Sequence, residues 1–132
     1  MLIFSLILNL VTFGLLLAIM PNISAVTFLA FALLIPFIYN GVLYIKLPHL
    51  KNDWVTMAML SANTALAYGI FGYLTTVLDK IDKFVKLNSY SNGVVQITID
   101  ANITSVSNVI FILLAQFGVL YIIRVIQNRR KK

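Results

Sequence analysis

Few side chains in this chain are able to do chemistry, and their spacing keeps them apart. The acids are Asp53, Asp79, Asp82 and Asp100; glutamate and cysteine are absent, and His49 is the sole histidine. Acid–base or metal-assisted catalysis needs ionisable groups that converge on one point. Only Asp79 and Asp82 are close in sequence, one helical turn apart. Each is followed four residues later by a lysine, Lys83 or Lys86, the pattern of a solvated helix face. One imidazole cannot complete a zinc site, and without cysteine there is no thiolate or disulfide. The sequence therefore predicts no catalytic residue, no cofactor and no metal centre.

A second set of polar groups is less ordinary. Asn9, Asn40, Asn63 and Gln116 each lie inside a long hydrophobic stretch. A carboxamide carries two donors and an acceptor, so in an apolar medium it seeks another polar group. Ser5 and Thr12 share a helical face with Asn9. The chemistry this pattern suggests is hydrogen bonding between helices, in an intramembrane polar layer formed by the four amides. Each such bond is worth about 0.6 kcal/mol on average, up to ~2 kcal/mol, so its expected value lies in fixing register. Asn63 fits least well, because it points away from the small residues of its own stretch.

The elements that carry these groups are four apolar runs, roughly Leu2–Met20, Ala25–Ile45, Trp54–Leu78 and Ser105–Ile126. They contain no acid and one base, Arg124, and each has about the 20 residues needed to cross a ~30 Å hydrocarbon core. The chain has 132 residues, 61% of them hydrophobic, and a mean hydropathy of +0.96. Backbone groups in lipid must be satisfied within the segment, so runs without alternation imply helices. We expect an all-α membrane protein: one domain over residues 1–132, with four transmembrane helices in an up-down antiparallel bundle. The first run lacks a basic leader and a small-x-small site, and is read as a retained span. Pro36 withholds one backbone bond from Ala32 and is expected to kink the second span. Trp54 and Tyr44, with Tyr73 and Tyr90 towards the other side, suit the membrane boundaries.

With four spans both ends of the chain share one side, together with the linker Lys46–Asp53. Arg124, Arg129, Arg130, Lys131 and Lys132 put most of the net charge of +6 on that side. The positive-inside rule places it in the cytoplasm, and the same residues suit anionic lipid headgroups. No aromatic residues interleave with these bases, which excludes a nucleic-acid partner. The opposite side holds the turn Pro21–Ser24 and a loop over residues 79–104. The i,i+4 pairs in that loop predict that the third helix runs a turn or two past Asp79, with Ile81, Phe84 and Val85 on one face. Asn92–Gly93 suits a hairpin turn, and Val95–Asp100 alternates as a half-buried strand does. Such a segment either folds over its own helix ends or offers an edge to another subunit. Asn22–Ser24 and Asn102–Thr104 match the glycosylation pattern, although Asn102 or Thr104 would equally cap the fourth helix.

The third span carries a stripe of small residues: Ala58, Ser61, Ala62, Ala65, Gly69 and Gly72. Small residues let backbones approach closely where no hydrophobic effect drives association. This helix is the expected packing centre of the bundle or of an oligomer. A coupled transporter keeps an ionisable group at mid-membrane, and these spans have none. The chain has the length of the small multidrug-resistance pumps, but the acid of their first span has no counterpart here. Two roles fit. One is a non-catalytic structural or accessory subunit of a larger membrane or enveloped-particle assembly, its partners being lipids and other transmembrane chains or copies of itself. The alternative is a self-associating permeabiliser, which the chain resembles only in its layout: in a holin-like way, it is short, apolar and basic at one end.

Overall fold

A computed structural model describes residues 1–48, 52–91, 96–97, 102 and 105–130. Its elements are α1 (Leu2–Ile19), α2 (Ala25–Leu29), α3 (Ile35–Lys46), α4 (Asp53–Val77), α5 (Lys80–Asn88), β1 (Tyr90–Ser91), β2 (Gln96–Ile97) and α6 (Val106–Arg130). Four helical runs are long and apolar enough to cross a membrane: Leu2–Asn22, Ala25–Lys46, Asp53–Val77 and Val106–Arg130. The fold is predominantly helical and compatible with an integral membrane protein.

Local chemistry sets the helix ends. A 3₁₀ turn with Pro21 in its first residues, Met20–Asn22, closes α1. Ser24 then caps α2, its hydroxyl accepting from the Thr27 N–H at 3.2 Å. Pro48 disfavours helical geometry at Leu47, which is extended (φ −104, ψ 150), so α3 stops there. Asn52 restarts the chain, its side chain accepting from the Trp54 N–H at 2.9 Å. Asp53 in the first turn of α4 complements the helix dipole.

The second span is not one regular helix. A π-helical segment, Ala30–Leu34, joins α2 to α3, and the Ile35 N–H bonds to the Ala30 carbonyl. Pro36 stands in the first turn of α3. It has no N–H to give, and a widened turn just upstream re-routes the neighbouring bonds. The expected disruption at Pro36 thus takes the form of a π turn.

The third helix also departs from expectation. It does not continue past Asp79. That residue is left-handed (φ 50), and α5 starts afresh at Lys80. Aspartate tolerates this conformation better than most residues. The break lets α5 fold back over the Met20–Asn22 turn. Phe84 becomes buried there, its ring 5.2 Å from that of Phe28. Asn88 fastens the other end of α5: its Oδ1 accepts from the Ala25 N–H at 2.6 Å and its Nδ2 donates to the Ile23 carbonyl at 3.1 Å. β1 and β2 make a two-residue antiparallel pair, Tyr90 opposite Ile97 and Ser91 opposite Gln96. The Asn92–Gly93 turn, Val95 and the stretch 98–100 lie outside the described residues, as do Ile103, Thr104, His49, Lys51, Lys131 and Lys132.

α4 packs most extensively on α1 and α6, while α3 contacts both α1 and α6. The core divides in two. A larger cluster around Phe13, Phe28, Tyr68, Phe71, Phe84 and Ile112 fills the end near α5. Tyr44, Met57, Leu60 and Leu120 form a smaller cluster at the other end. Rings in the larger cluster meet edge-on or tilted, as in Phe13–Tyr68 at 5.8 Å and Phe13–Phe71 at 5.7 Å.

Candidate functional site

Between the two apolar clusters lies a set of buried polar side chains supplied by every span. Ser5, Asn9, Asn40, Ser61, Thr64 and Gln116 are wholly buried, and Thr12 is nearly so. Their positions follow from helical spacing. Gln116 falls one turn from Ile112 and one from Leu120. Thr64 falls between Leu60 and Tyr68, and Asn40 between Pro36 and Tyr44.

Asn40 is the junction. Its Oδ1 accepts from Ser5 Oγ at 2.8 Å, and its Nδ2 donates to Thr64 Oγ1 at 2.8 Å. One amide therefore ties the second span to the first and the third. Ser5 in turn accepts from Asn9 Nδ2 at 3.3 Å. The Tyr39 hydroxyl donates to Asn9 Oδ1. Thr64 ends the chain of bonds by donating to the Leu60 carbonyl of its own helix at 3.2 Å. Ser61 does the same to Met57 at 2.8 Å. Hydroxyls in a helix satisfy themselves in this way at little cost.

The four amides named from sequence do not behave alike. Asn9 and Asn40 are brought together through Ser5. Asn63 stands apart, partly buried on the outward flank of α4, and donates to the Leu2 carbonyl at 3.3 Å. It lines a cavity of ≈ 290 Å³ with Leu2, Ile3, Leu6, Met59, Ala62 and Leu66. Gln116 is wholly buried, yet neither its Nε2 nor its Oε1 has a hydrogen-bond partner among the described residues. An unpaired buried amide costs about 1–3 kcal/mol. Ser5, Thr64 and Tyr39 complete the network although sequence spacing did not single them out together. Only Ser5, by sharing a face with Asn9, signalled its part.

The small-residue stripe of α4 divides between environments. Ser61, Ala65 and Gly72 are buried, Ala62 and Gly69 are half-buried, and Ala58 is exposed. A Cβ at Gly69 would meet only Val109 Cγ2 at 4.0 Å, ordinary contact. The tighter approach is on the second span. A Cβ at Gly41 would sit 3.0 Å from Ile123 Cδ1.

At the end that carries the smaller apolar cluster Arg124 does not stand free among the bases. Its Nε lies 3.2 Å from Asp53 Oδ2. Its guanidinium also covers the Trp54 ring at 4.8 Å, and that ring stacks on Phe117 and Tyr121. The arrangement clamps the start of α4 to the end of α6. Arg129 and Arg130 are exposed in the last turn of α6. At the other end Thr75, Thr76, Asp79, Asp82 and Asn102 border a cavity of ≈ 280 Å³. No group of three or more metal-binding side chains occurs among the described residues.

No family model, curated protein or solved structure matches the chain. Its geometry alone therefore carries the functional reading.

Proposed function

We propose that this chain is a non-catalytic integral membrane protein, a small structural or accessory subunit of a larger membrane or enveloped-particle assembly. Its four spans form an up-down antiparallel bundle, with both termini in the cytoplasm. The loop over residues 79–104, hairpin-like beyond α5, lies outside. Arg129, Arg130 and the basic residues after them meet anionic headgroups, while Arg124 divides its charge between those and Asp53.

One observation carries this reading. Of the polar side chains that could line an aqueous path, Ser5, Thr12 and Thr64 are turned into the chain itself and buried there, while Asn63 is half-buried and lines the groove between α1 and α4. A permeabiliser built from several copies needs a wettable face left over for the lumen. Apart from Asn63 that groove is apolar, with Ala62 in its wall. Such a groove suits a lipid tail or the flank of another transmembrane helix.

The test is to express the chain alone and with candidate membrane partners. A subunit leaves the membrane potential intact and co-purifies with a specific transmembrane protein through detergent. Rapid loss of potential on expression alone would replace this reading with the permeabiliser. A C-terminal reporter that is active only outside the cytoplasm would reverse the orientation.

A further inference from the structure

The fourth span sets an unsatisfied amide next to a gap. Asn108, Ile112 and Gln116 follow one another at intervals of four on one face of α6. Asn108 and Ile112 line a cavity of ≈ 170 Å³ against Phe28, Leu29, Ala32 and Leu33 of the second span. Gln116 lies one turn further in, with both ends of its carboxamide unpartnered among the described residues. Below it the cluster of Tyr44, Met57, Leu60 and Leu120 closes the way with large side chains, apolar but for the Tyr44 hydroxyl.

The two helices that flank this cleft meet each other chiefly at one end, while at the other Asn88 of α5 holds the start of α2. Gly41 and Ile123 are in near contact, and the Arg124–Asp53 pair holds α6 to α4 beside them. Towards the cleft the second span changes to π geometry over Ala30–Leu34. Pro36, which follows, cannot donate to the buried Ala32 carbonyl. Breaks of this kind localise bending, and π turns concentrate at functional sites. A small outward swing of α2, together with the α5 segment that Asn88 and Phe84 fasten to it, would widen the cleft without disturbing the Ser5–Asn40–Thr64 bonds, which lie on the other side of the break.

We propose that the cleft between the second and fourth spans is a binding site for small uncharged hydrogen-bonding molecules, water first among them, with Gln116 as its polar floor. In the structure Gln116 is sealed from the cleft, wholly buried and one turn beyond the residues that line it. The side chains lining it carry no charge, so an ion entering would find nothing to replace its hydration. A neutral donor–acceptor molecule finds both an N–H and a C=O at Gln116. Entry is from the end that carries α5, and the apolar cluster stops passage to the other end.

The experiment uses the full chain in lipid nanodiscs and reads exchange of side-chain amide protons with D₂O by NMR. The Gln116→Leu variant identifies the Gln116 signal. We expect the Gln116 amide to exchange about tenfold or more faster than that of Asn40, which both holds and is held by hydrogen bonds. Equal protection of the two would show a dry, closed core and overturn the site. Equally fast exchange of both would mean that the whole bundle opens, and would overturn it too. Pro36→Ala restores a backbone donor and is expected to slow exchange at Gln116 while leaving Asn40 unchanged. An unaltered Gln116 rate in that variant would remove the hinge from the proposal.

Discussion

Asn40 accepts a hydrogen bond from Ser5 and donates one to Thr64, each at 2.8 Å, so a single amide on the second span holds the first and third. All three side chains are fully shielded from the surroundings. In hydrocarbon a stray polar group has no solvent to fall back on, and satisfied polar pairs therefore specify which helices meet and at what height.

Replacing Asn40 with Leu removes both bonds and leaves Ser5 with a lost acceptor. The expected loss is about 1–3 kcal/mol in reversible unfolding from mixed micelles. The same change at Asn63, whose one bond is a 3.3 Å contact to a backbone carbonyl, is expected to cost less than about 0.6 kcal/mol. Equal effects at the two positions would show that the buried network has no special weight.

At Gly41 the second span comes close to the fourth, with Ile123 Cδ1 3.0 Å from the place a Cβ would take. Ala there requires only that a flexible side-chain end move by a few tenths of an ångström. Leu overpacks the contact and should destabilise by about 1–3 kcal/mol. Adding Ile123→Ala should restore part of that loss. A double variant no more stable than Gly41→Leu alone would place the crowding elsewhere.

Phe84 anchors α5 in the core of the bundle, and Asn88 ties it to the start of α2. Phe84→Ala opens a cavity under α5, with an expected cost of about 2–4 kcal/mol. The clearer readout is local. Trypsin added to the α5 side should cut at Lys83 and Lys86 several times faster in Phe84→Ala and Asn88→Ala. Unchanged cleavage in both would mean that α5 is held by something else.

Asp53 and Arg124 are partly exposed, at 37% and 25%. Such pairs contribute about 0.2–1 kcal/mol and weaken with salt. Asp53→Asn should therefore lower stability only slightly, and the difference should shrink in high salt. Trp54→Ala should cost more, because the stacked rings of Phe117 and Tyr121 lose their neighbour along with the cation.

Residue types and spacing were enough to read four spans, because their signal is local: a run of about 20 apolar residues has no other comfortable solvent. They also put Asn9, Asn40, Asn63 and Gln116 in one layer, since rise per residue converts sequence position to height. They could not say which amides meet. Rotation about each helix axis decides that, and it depends on packing against helices distant in sequence. Hence Asn40 found Ser5 and Thr64, Asn63 reached only the Leu2 backbone, and Gln116 has no hydrogen-bond partner among the described residues.

The same division explains the α5 segment. The lysine–aspartate pattern around Asp79 and Asp82 favours a helix whether or not it continues α4. What broke the helix at Asp79 was a tertiary gain, the burial of Phe84 against Phe28, which outweighs one residue in left-handed geometry. The amino-acid order by itself determined that the chain is helical, with four runs long and apolar enough to cross a membrane. Only the folded arrangement decided which polar groups are satisfied and where the bundle has a gap, because those depend on contacts between segments that no local pattern encodes.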